Sequence, residues 1–180
     1  MCGIAGIYSY QQRQMVDVAT LRLMADLLAH RGPDDFGTHE EAFLGLAHRR
    51  LSIIDLSSGR QPLYNEDRSC ALILNGELYN YLELRRDLEA AGHRFATQSD
   101  SEVLLHLYEE RGEDCLEPIR GMFAFALWDA PRRRLLLGRD RLGQKPLYYA
   151  DVGGRLLFAS ELRALLADPH LPRDLDARAL

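Results

Sequence analysis

Hydrophobic residues recur at intervals of three and four in several stretches of the chain, which is the spacing of an amphipathic helix. Residues 17–32 and 99–112 are the clearest cases, because each carries an apolar stripe and ends at a glycine. The second stretch also begins with Ser99 and Glu102, which have the spacing of a capping box. The pattern predicts helices at residues 17–32, 81–92, 99–112 and 160–168.

Short runs rich in β-forming residues lie between these helices and predict strands. We expect the first of them, residues 2–10, to form a strand at the edge of a sheet. Residues 31–37 (RGPDDFG) are expected to form a loop. The last four runs are separated by APR, RLGQ and VGG, which predicts consecutive antiparallel hairpins. The predicted strands are residues 2–10, 43–56, 69–76, 121–129, 132–140, 145–151 and 155–160.

The helices and strands form separate runs more than they alternate, which indicates an α+β fold with mainly antiparallel sheets. Residues 1–170 are expected to form one domain. Residues 171–180 carry proline and aspartate and finish like the start of another helix. We therefore expect them to begin a linker to a C-terminal domain.

Composition narrows the choice of partner and compartment. The chain has 22 Lys and Arg against 27 Asp and Glu. It therefore lacks the strong positive charge that would attract nucleic acids or anionic membranes. There is no signal-peptide pattern, and no apolar run approaches about 20 residues. The three cysteines include no CxxC pair, which argues against a disulfide framework or a zinc site. A cytoplasmic protein with a small-molecule or protein partner is expected.

Cys2 directly follows the initial methionine, and two interpretations are open. A free cysteine is often an inert apolar residue in a strand. Removal of Met1 by an aminopeptidase would instead leave one residue with both a thiol and a free α-amine. Their ordinary pKa values, about 8.5 and about 7.7 to 8.0, are close enough for proton exchange near neutrality. Cys2 could then act as nucleophile and base together.

Two further features have both a structural and a chemical interpretation. Asn75-Gly76 is typical of a tight hairpin, but the helical spacing that follows favours a strand leading through a turn into a helix. Such a turn offers a side-chain amide and a backbone N–H, as an oxyanion hole requires. Arg50 could be a solvated charge, and Asp100 could serve the dipole of a helix. Together they could instead bind the carboxylate and the ammonium of an α-amino acid.

Two other features predict no chemistry. The segment GRDRLGQKP, residues 138–146, resembles a phosphate-binding loop, but its lysine is one residue late and Pro146 replaces the Ser or Thr ligand. The six histidines are scattered, and we find no His, Cys or carboxylate at ligand spacing beside any of them. His106 is expected at the surface or at the rim of the core, and no metal site is expected.

A set of motifs in order along the chain resembles a known family. They are MCGIAGI, HRGPDD, AHRRLSIIDL, QPLYNED, LNGELYN, SDSEV, GMFAFALWD and GRDRLGQKPLYY. From residue 1 to about residue 170 the chain resembles the N-terminal glutaminase domain of glutamine-hydrolysing asparagine synthetases. These are class II glutamine amidotransferases of the N-terminal-nucleophile hydrolase superfamily. The resemblance implies a four-layer α-β-β-α sandwich of two antiparallel sheets.

The resemblance also implies roles for residues at matching positions. The implied catalytic residues are Cys2 as nucleophile, with Asn75 and Gly76 as the oxyanion hole. The implied substrate-binding residues are Arg50, Leu51, Ile54, Asn75, Glu77 and Asp100. Among these, Arg50 would hold the α-carboxylate of L-glutamine, while Glu77 and Asp100 would face its ammonium.

The reaction implied by the resemblance is hydrolysis of L-glutamine to glutamate and ammonia through a cysteinyl thioester. Ammonia would pass to a C-terminal synthetase domain of the same parent chain. ATP and Mg are expected only in that domain, and no cofactor is expected in this one. Two alternatives are open, a related amidotransferase acting on a sugar or polysaccharide precursor and a noncatalytic regulatory domain. A homodimer is also left open.

Overall fold

The structure of the protein, a computed structural model, describes residues 1–11, 14–53, 55 and 58–174. The described strands are β1 (Gly3–Tyr8), β2 (Asp35–Glu40), β3 (Leu44–Arg50), β4 (Leu63–Tyr64), β5 (Cys70–Leu78), β6 (Gly121–Asp129), β7 (Arg134–Arg139), β8 (Tyr148–Val152) and β9 (Arg155–Ala159). The described α-helices are α1 (Val18–Asp26), α2 (Tyr81–Ala91), α3 (Ser101–Arg111) and α4 (Leu162–Leu165), and a 3₁₀ helix follows α3 at Gly112–Leu116.

The strands form two antiparallel sheets. The larger sheet has the order β2-β3-β1-β9-β8, and the smaller has the order β4-β5-β6-β7. Strand β1 therefore lies at the centre of the larger sheet, between β3 and β9. The expectation that it lies at an edge was wrong, because long-range pairing, which the local pattern does not encode, sets the order of strands.

Alternating side chains on the strands build a layered core. On β6, Phe123 and Phe125 pack toward α2 and α3, whereas Ala124 and Ala126 face the other sheet. A third apolar cluster joins the outer face of the larger sheet to α1 and α4. This period-two alternation buries both faces of each sheet. The layers run helix, sheet, sheet, helix, so the expected α+β four-layer sandwich is confirmed.

Several predicted boundaries change in the structure. Helix α1 ends at Asp26 and is followed by turns, so it is shorter than residues 17–32 suggested. The expected loop at residues 31–37 ends earlier, because β2 begins at Asp35 and pairs with β3. Helix α4 is likewise shorter than predicted, and the two-residue strand β4 was not predicted.

The predicted run of hairpins is interrupted at RLGQ. Strands β6 and β7 form one hairpin, and β8 and β9 form another. The connection between β7 and β8 instead carries the chain from the smaller sheet to the larger one. Turn residues alone do not distinguish a hairpin from a crossing between two stacked sheets.

The predicted capping box also differs from the structure. Ser99 Oγ accepts a hydrogen bond from the backbone N–H of Ser101. The Glu102 carboxylate accepts from the backbone N–H groups of Ala96 and Thr97, at 2.7 and 2.8 Å. Glu102 therefore fixes the segment that leads into α3.

Two further points concern the ends and the surface of the fold. Residues 171–174 contain no helix or strand, and the helix start expected at the end of the chain lies outside the described residues. Among the helices of the described residues, none is both long and apolar enough to cross a membrane.

Candidate active site

The position of Cys2 follows from the pairing of β1. Since β1 and β3 are antiparallel, with Gly3 opposite Arg49, the beginning of β1 lies beside the end of β3. The backbone at this point is held from two sides. Ile4 N–H donates to Ser160 Oγ at 3.0 Å, and Arg31 Nε donates to the carbonyl of Cys2 at 3.0 Å. Cys2 is thus fixed by a central strand even though it is the second residue of the chain.

The thiol of Cys2 contacts the backbone of the residue that follows β3. Leu51 N–H donates to Cys2 Sγ at 3.4 Å, and the thiol can donate to the Leu51 carbonyl at 3.6 Å. Burial raises the pKa of this thiol above its ordinary value, although the Leu51 hydrogen bond and the charges of the N-terminus, Arg50 and Lys145 oppose the shift. With Met1 attached, the sulfur is therefore held mainly as the neutral thiol at neutral pH.

A cavity of about 200 Å³ opens beside Cys2. The predicted site residues that line it are Cys2, Arg50, Leu51, Asn75, Gly76, Glu77 and Asp100. They come from the start of β1, the end of β3, the end of β5 and the residue before α3. The eighth predicted residue, Ile54, lies outside the described residues. Positions far apart in sequence therefore meet in one small space.

Asn75 and Gly76 lie within β5, which continues to Leu78 before α2 begins. The strand, turn and helix order is confirmed, but the Asn-Gly pair is strand and not turn. Asn75 is 1% exposed, and its Nδ2 has no hydrogen-bond partner within the described part of the chain. A buried amide donor without a partner is costly unless a ligand satisfies it.

The close packing of β5 on β6 requires a glycine at position 76. A Cβ atom built there would lie 2.1 Å from the carbonyl oxygen of Met122 and 2.5 Å from the Cα of Phe123. Any larger residue would push the end of β5 away from β6. The glycine thereby keeps Asn75 and Glu77 at their positions along the cavity.

Two carboxylates, Glu77 and Asp100, line the same cavity. Asp100 is buried, and its Oδ2 accepts a hydrogen bond from Leu78 N–H at 2.7 Å. Burial raises the pKa of Asp100, and the charge of Glu77 adds to this, while the Leu78 hydrogen bond opposes it. Two neighbouring carboxylates with little solvent favour a cationic ligand.

Arg50 supplies a buried positive charge to the cavity. Its guanidinium donates to the carbonyl of Asp55, and its own carbonyl accepts from Asp34 N–H at 3.0 Å. A guanidinium held in this way can bind a carboxylate in the fork geometry that arginine favours.

Lys145 also lines the cavity, and sequence reasoning missed it. It belongs to the segment at residues 138–146 that we set aside as a false phosphate loop. Its Nζ lies 3.4 Å from the sulfur of Met1. The Asp140 carboxylate shapes this loop by accepting from the backbone N–H groups of Gln144 and Lys145. Only the crossing from β7 to β8 brings the lysine here, and no local spacing signals it.

The histidines do not supply a base to this cavity within the described residues. His48 is buried and its Nε2–H donates to the Leu74 carbonyl at 3.1 Å. Burial lowers the pKa of His48 to about 4, so its ring is neutral at neutral pH.

The expectation about His106 was wrong. It is 1% exposed and therefore buried, not at a rim. His93 and the carboxylates of Glu102 and Glu109 lie beside it, so the absence of ligand-type neighbours that we inferred from the sequence does not hold. A signal was present, because Glu102, Glu109 and Glu110 each lie about one helical turn from His106.

Comparison with known proteins identifies the class of this fold and site. A family model described as a glutamine amidotransferase domain matches residues 1–180. The chain belongs to this family of glutamine amidotransferase domains. The resemblance inferred from the sequence motifs is confirmed.

Similar curated proteins are longer than this chain. Asparagine synthetase [glutamine-hydrolyzing] 2 of Bacillus subtilis is 46% identical over 175 residues, which are 96% of this chain and 23% of that protein. Asparagine synthetase B [glutamine-hydrolyzing] of Escherichia coli is 43% identical over 171 residues, 92% of this chain and 30% of that protein. The chain thus spans less than a third of the length of these relatives.

A solved structure shares the fold. Glutamine phosphoribosylpyrophosphate amidotransferase from B. subtilis superposes with a TM-score of 0.75 at 22% identity, over 92% of this chain and 43% of that one. At this identity the likeness supports the architecture alone.

Proposed function

We propose that this domain hydrolyses the side-chain amide of L-glutamine to glutamate and ammonia through a thioester on Cys2. One observation carries the proposal. The Cys2 thiol and the unpartnered amide of Asn75 lie at one cavity, which pairs a nucleophile with a donor for an oxyanion.

The charged residues of the cavity suit the other end of the substrate. Arg50 binds the α-carboxylate, and Glu77 and Asp100 bind the α-ammonium. A zwitterionic α-amino acid offers an opposite charge to all three groups at once, whereas a simple carboxylate lacks the ammonium that Glu77 and Asp100 would bind, and a simple amine lacks the carboxylate that Arg50 would bind. Main-chain groups of Leu51 complete the described part of the pocket. The role that the resemblance implies for Ile54 stays a prediction, because Ile54 lies outside the described residues.

The reaction proceeds in two stages. The Cys2 sulfur attacks the amide carbon, and the oxyanion that forms accepts hydrogen bonds from Asn75 Nδ2 and Gly76 N–H. The carbon–nitrogen bond then breaks, the nitrogen takes a proton, and ammonia leaves the γ-glutamyl thioester. Water attacks the thioester, which releases glutamate and restores the thiol.

Removal of Met1 is part of the proposal. While Met1 is attached, the nitrogen of Cys2 is an amide and cannot accept a proton. The free α-amine of Cys2 would accept the thiol proton and return it to the leaving nitrogen. Loss of Met1 would also clear its side chain from the position beside Lys145 at the cavity.

The test compares two cysteine variants. Cys2→Ala should lower the rate of glutamate release at least about a thousandfold with an unchanged melting temperature. Cys70→Ala is the matched control, since Cys70 lies in the core of β5, and it should retain the rate with lower stability. Undiminished glutamate release by folded Cys2→Ala would refute the proposed function.

We infer that the ammonia is used by an ATP-dependent domain of the asparagine synthetase type in the same parent chain, in the cytoplasm. The length and names of the relatives support this inference. ATP and Mg²⁺ would bind that domain and not this one. Aspartate should yield asparagine when the full parent chain is given glutamine, ATP and Mg²⁺, and amination of a sugar precursor alone would contradict the inference.

A further inference from the structure

A compact group of imidazoles and carboxylates lies apart from the cavity. His93 follows α2, and His106 and Glu109 lie on α3. The two Nδ1 atoms are 3.2 Å apart, and Glu109 Oε2 lies 2.8 Å from His106 Nδ1 and 3.5 Å from His93 Nδ1. An oxygen of Glu66 lies within 4.8 Å of ligand atoms of both histidines. None of these described residues lines the cavity beside Cys2.

The spacing of these atoms fits one small ion. A tetrahedral zinc ion with bonds of about 2.0 to 2.1 Å holds its ligand atoms about 3.3 Å apart. The three distances measured here are 2.8, 3.2 and 3.5 Å. Small side-chain movements would therefore place His93, His106 and Glu109 around a common centre.

A carboxylate lies beside the Nε2 atom of each ring, and the one beside His93 accepts a hydrogen bond from it. His93 Nε2 lies 2.9 Å from Glu110 Oε1, so this nitrogen carries the hydrogen and donates it. His106 Nε2 faces Glu102 Oε1 at 3.7 Å, which is an ion-pair distance and too long for a hydrogen bond. Each ring thus has a carboxylate beside Nε2 and turns Nδ1 inward. Metal-bound histidines characteristically donate a hydrogen bond from the nitrogen that does not bind the metal, as His93 does to Glu110.

The remaining contacts also favour a closed site. Glu109 Oε1 accepts a hydrogen bond from Asn65 Nδ2 at 2.8 Å, which leaves Oε2 directed at the rings. Phe95 packs against the His106 ring with centroids 4.5 Å apart and shields it from water. The carboxylates of Glu66 and Glu109 would balance the charge of a divalent ion.

We propose that His93 Nδ1, His106 Nδ1 and Glu109 Oε2 bind a divalent metal ion of the zinc type, with Glu66 as the fourth ligand. The ion ties the segment after α2 and the loop after β4 to helix α3. Its role is structural, because the site is closed by four protein ligands. The proposal goes beyond the glutaminase reaction and does not depend on it.

The test measures metal binding directly. The tag-free 180-residue chain is stripped with a chelator, dialysed and titrated with ZnCl₂ by calorimetry, with Co²⁺ absorption as a second readout of tetrahedral geometry. We expect one saturable site per chain and a melting temperature that rises with Zn²⁺. Glu110→Gln should weaken binding about 10- to 100-fold, and His93→Gln should weaken it further.

The control is His39→Gln, because His39 lies 3.1 Å from Glu41 and outside the cluster. It should bind Zn²⁺ with unchanged affinity. His93 and Glu110 are partly exposed, so their variants should fold, which circular dichroism checks. Failure of the folded wild-type chain to bind one Zn²⁺ would overturn the proposal. It would indicate that the cluster of histidines and glutamates binds a proton and no metal ion. Equal affinity in wild type and His93→Gln would overturn it as well.

Discussion

Substitution of Asn75 by alanine separates catalysis from stability. In the proposed reaction, its Nδ2 donates one of two hydrogen bonds to the oxyanion. Loss of one such donor costs about 2.7 to 4 kcal/mol of transition-state stabilisation, or about 10² to 10³ in kcat. Since Nδ2 has no partner within the described residues, the folded state loses no hydrogen bond from it. We expect kcat and kcat/KM to fall together while KM and the melting temperature stay nearly constant.

Asn80→Ala is the matched control. Asn80 Nδ2 donates to the Pro118 carbonyl at 2.9 Å, and its Oδ1 accepts from Arg120 N–H at 2.9 Å. This variant should lose about 1 to 3 kcal/mol of stability and retain kcat. The assay is steady-state glutamate release, with thermal unfolding on the same samples. A kcat for Asn75→Ala within threefold of wild type, or a change in KM alone, would refute the assignment.

Three further substitutions have distinct signatures. Gly76→Ala should lower both the stability and kcat, because the Cβ of the alanine would clash with the Met122 carbonyl. Wild-type stability in unfolding assays together with a wild-type rate of glutamate release would contradict this prediction. Asp100→Asn should raise KM for glutamine at least about tenfold without lowering the melting temperature, since burial raises the pKa of Asp100 and disfavours its charge in the folded state. Asp168→Asn should cost about 3 to 5 kcal/mol at neutral pH by leaving the buried Arg155 partly unpaired. Burial opposes ionisation of Asp168, but hydrogen bonds from Arg155 lower the pKa of Asp168 overall. The ion pair therefore stabilises the protein at pH values above the pKa of Asp168 in the unfolded state. This contribution is lost as the pH falls through the pKa of Asp168 in the folded state. Urea unfolding across that pH range should show the gap between wild type and Asp168→Asn closing, and a constant gap would contradict the ion pair.

The local pattern predicts the strands and the α+β class with mainly antiparallel sheets, whereas the four layers were implied by the resemblance to the family. In β6, for example, the sequence GMFAFALWD alternates between two apolar clusters and fixes which side chains face each layer. The order of strands depends on pairing between distant segments, so the central position of β1 could not be found locally. The same reason explains why the turn residues in RLGQ suggested a hairpin.

The sequence likewise predicts some residues of the candidate site and not others. Cys2 could be recognised from the sequence because it directly follows the initial methionine. The Asn75-Gly76 pair could be recognised because it lies between a predicted strand and a helical pattern. Their convergence in one cavity required the packing of the two sheets on each other, which brings β1 against β5. Lys145 has no comparable local signal, because only the tertiary path of its loop brings it to the cavity. The pairing of His93 with His106 likewise depends on how the segment after α2 packs on α3.

Peptide mapping of the enzyme during turnover tests the central claim most directly. Protein mixed with glutamine is quenched in acid, digested and examined by mass spectrometry for a glutamyl group on cysteine. The account predicts that the N-terminal peptide begins at Cys2, without Met1, and that its thiol carries the glutamyl group. A glutamyl group on Cys70 or Cys115, or an active protein whose N-terminal peptide still begins with Met1, would contradict it.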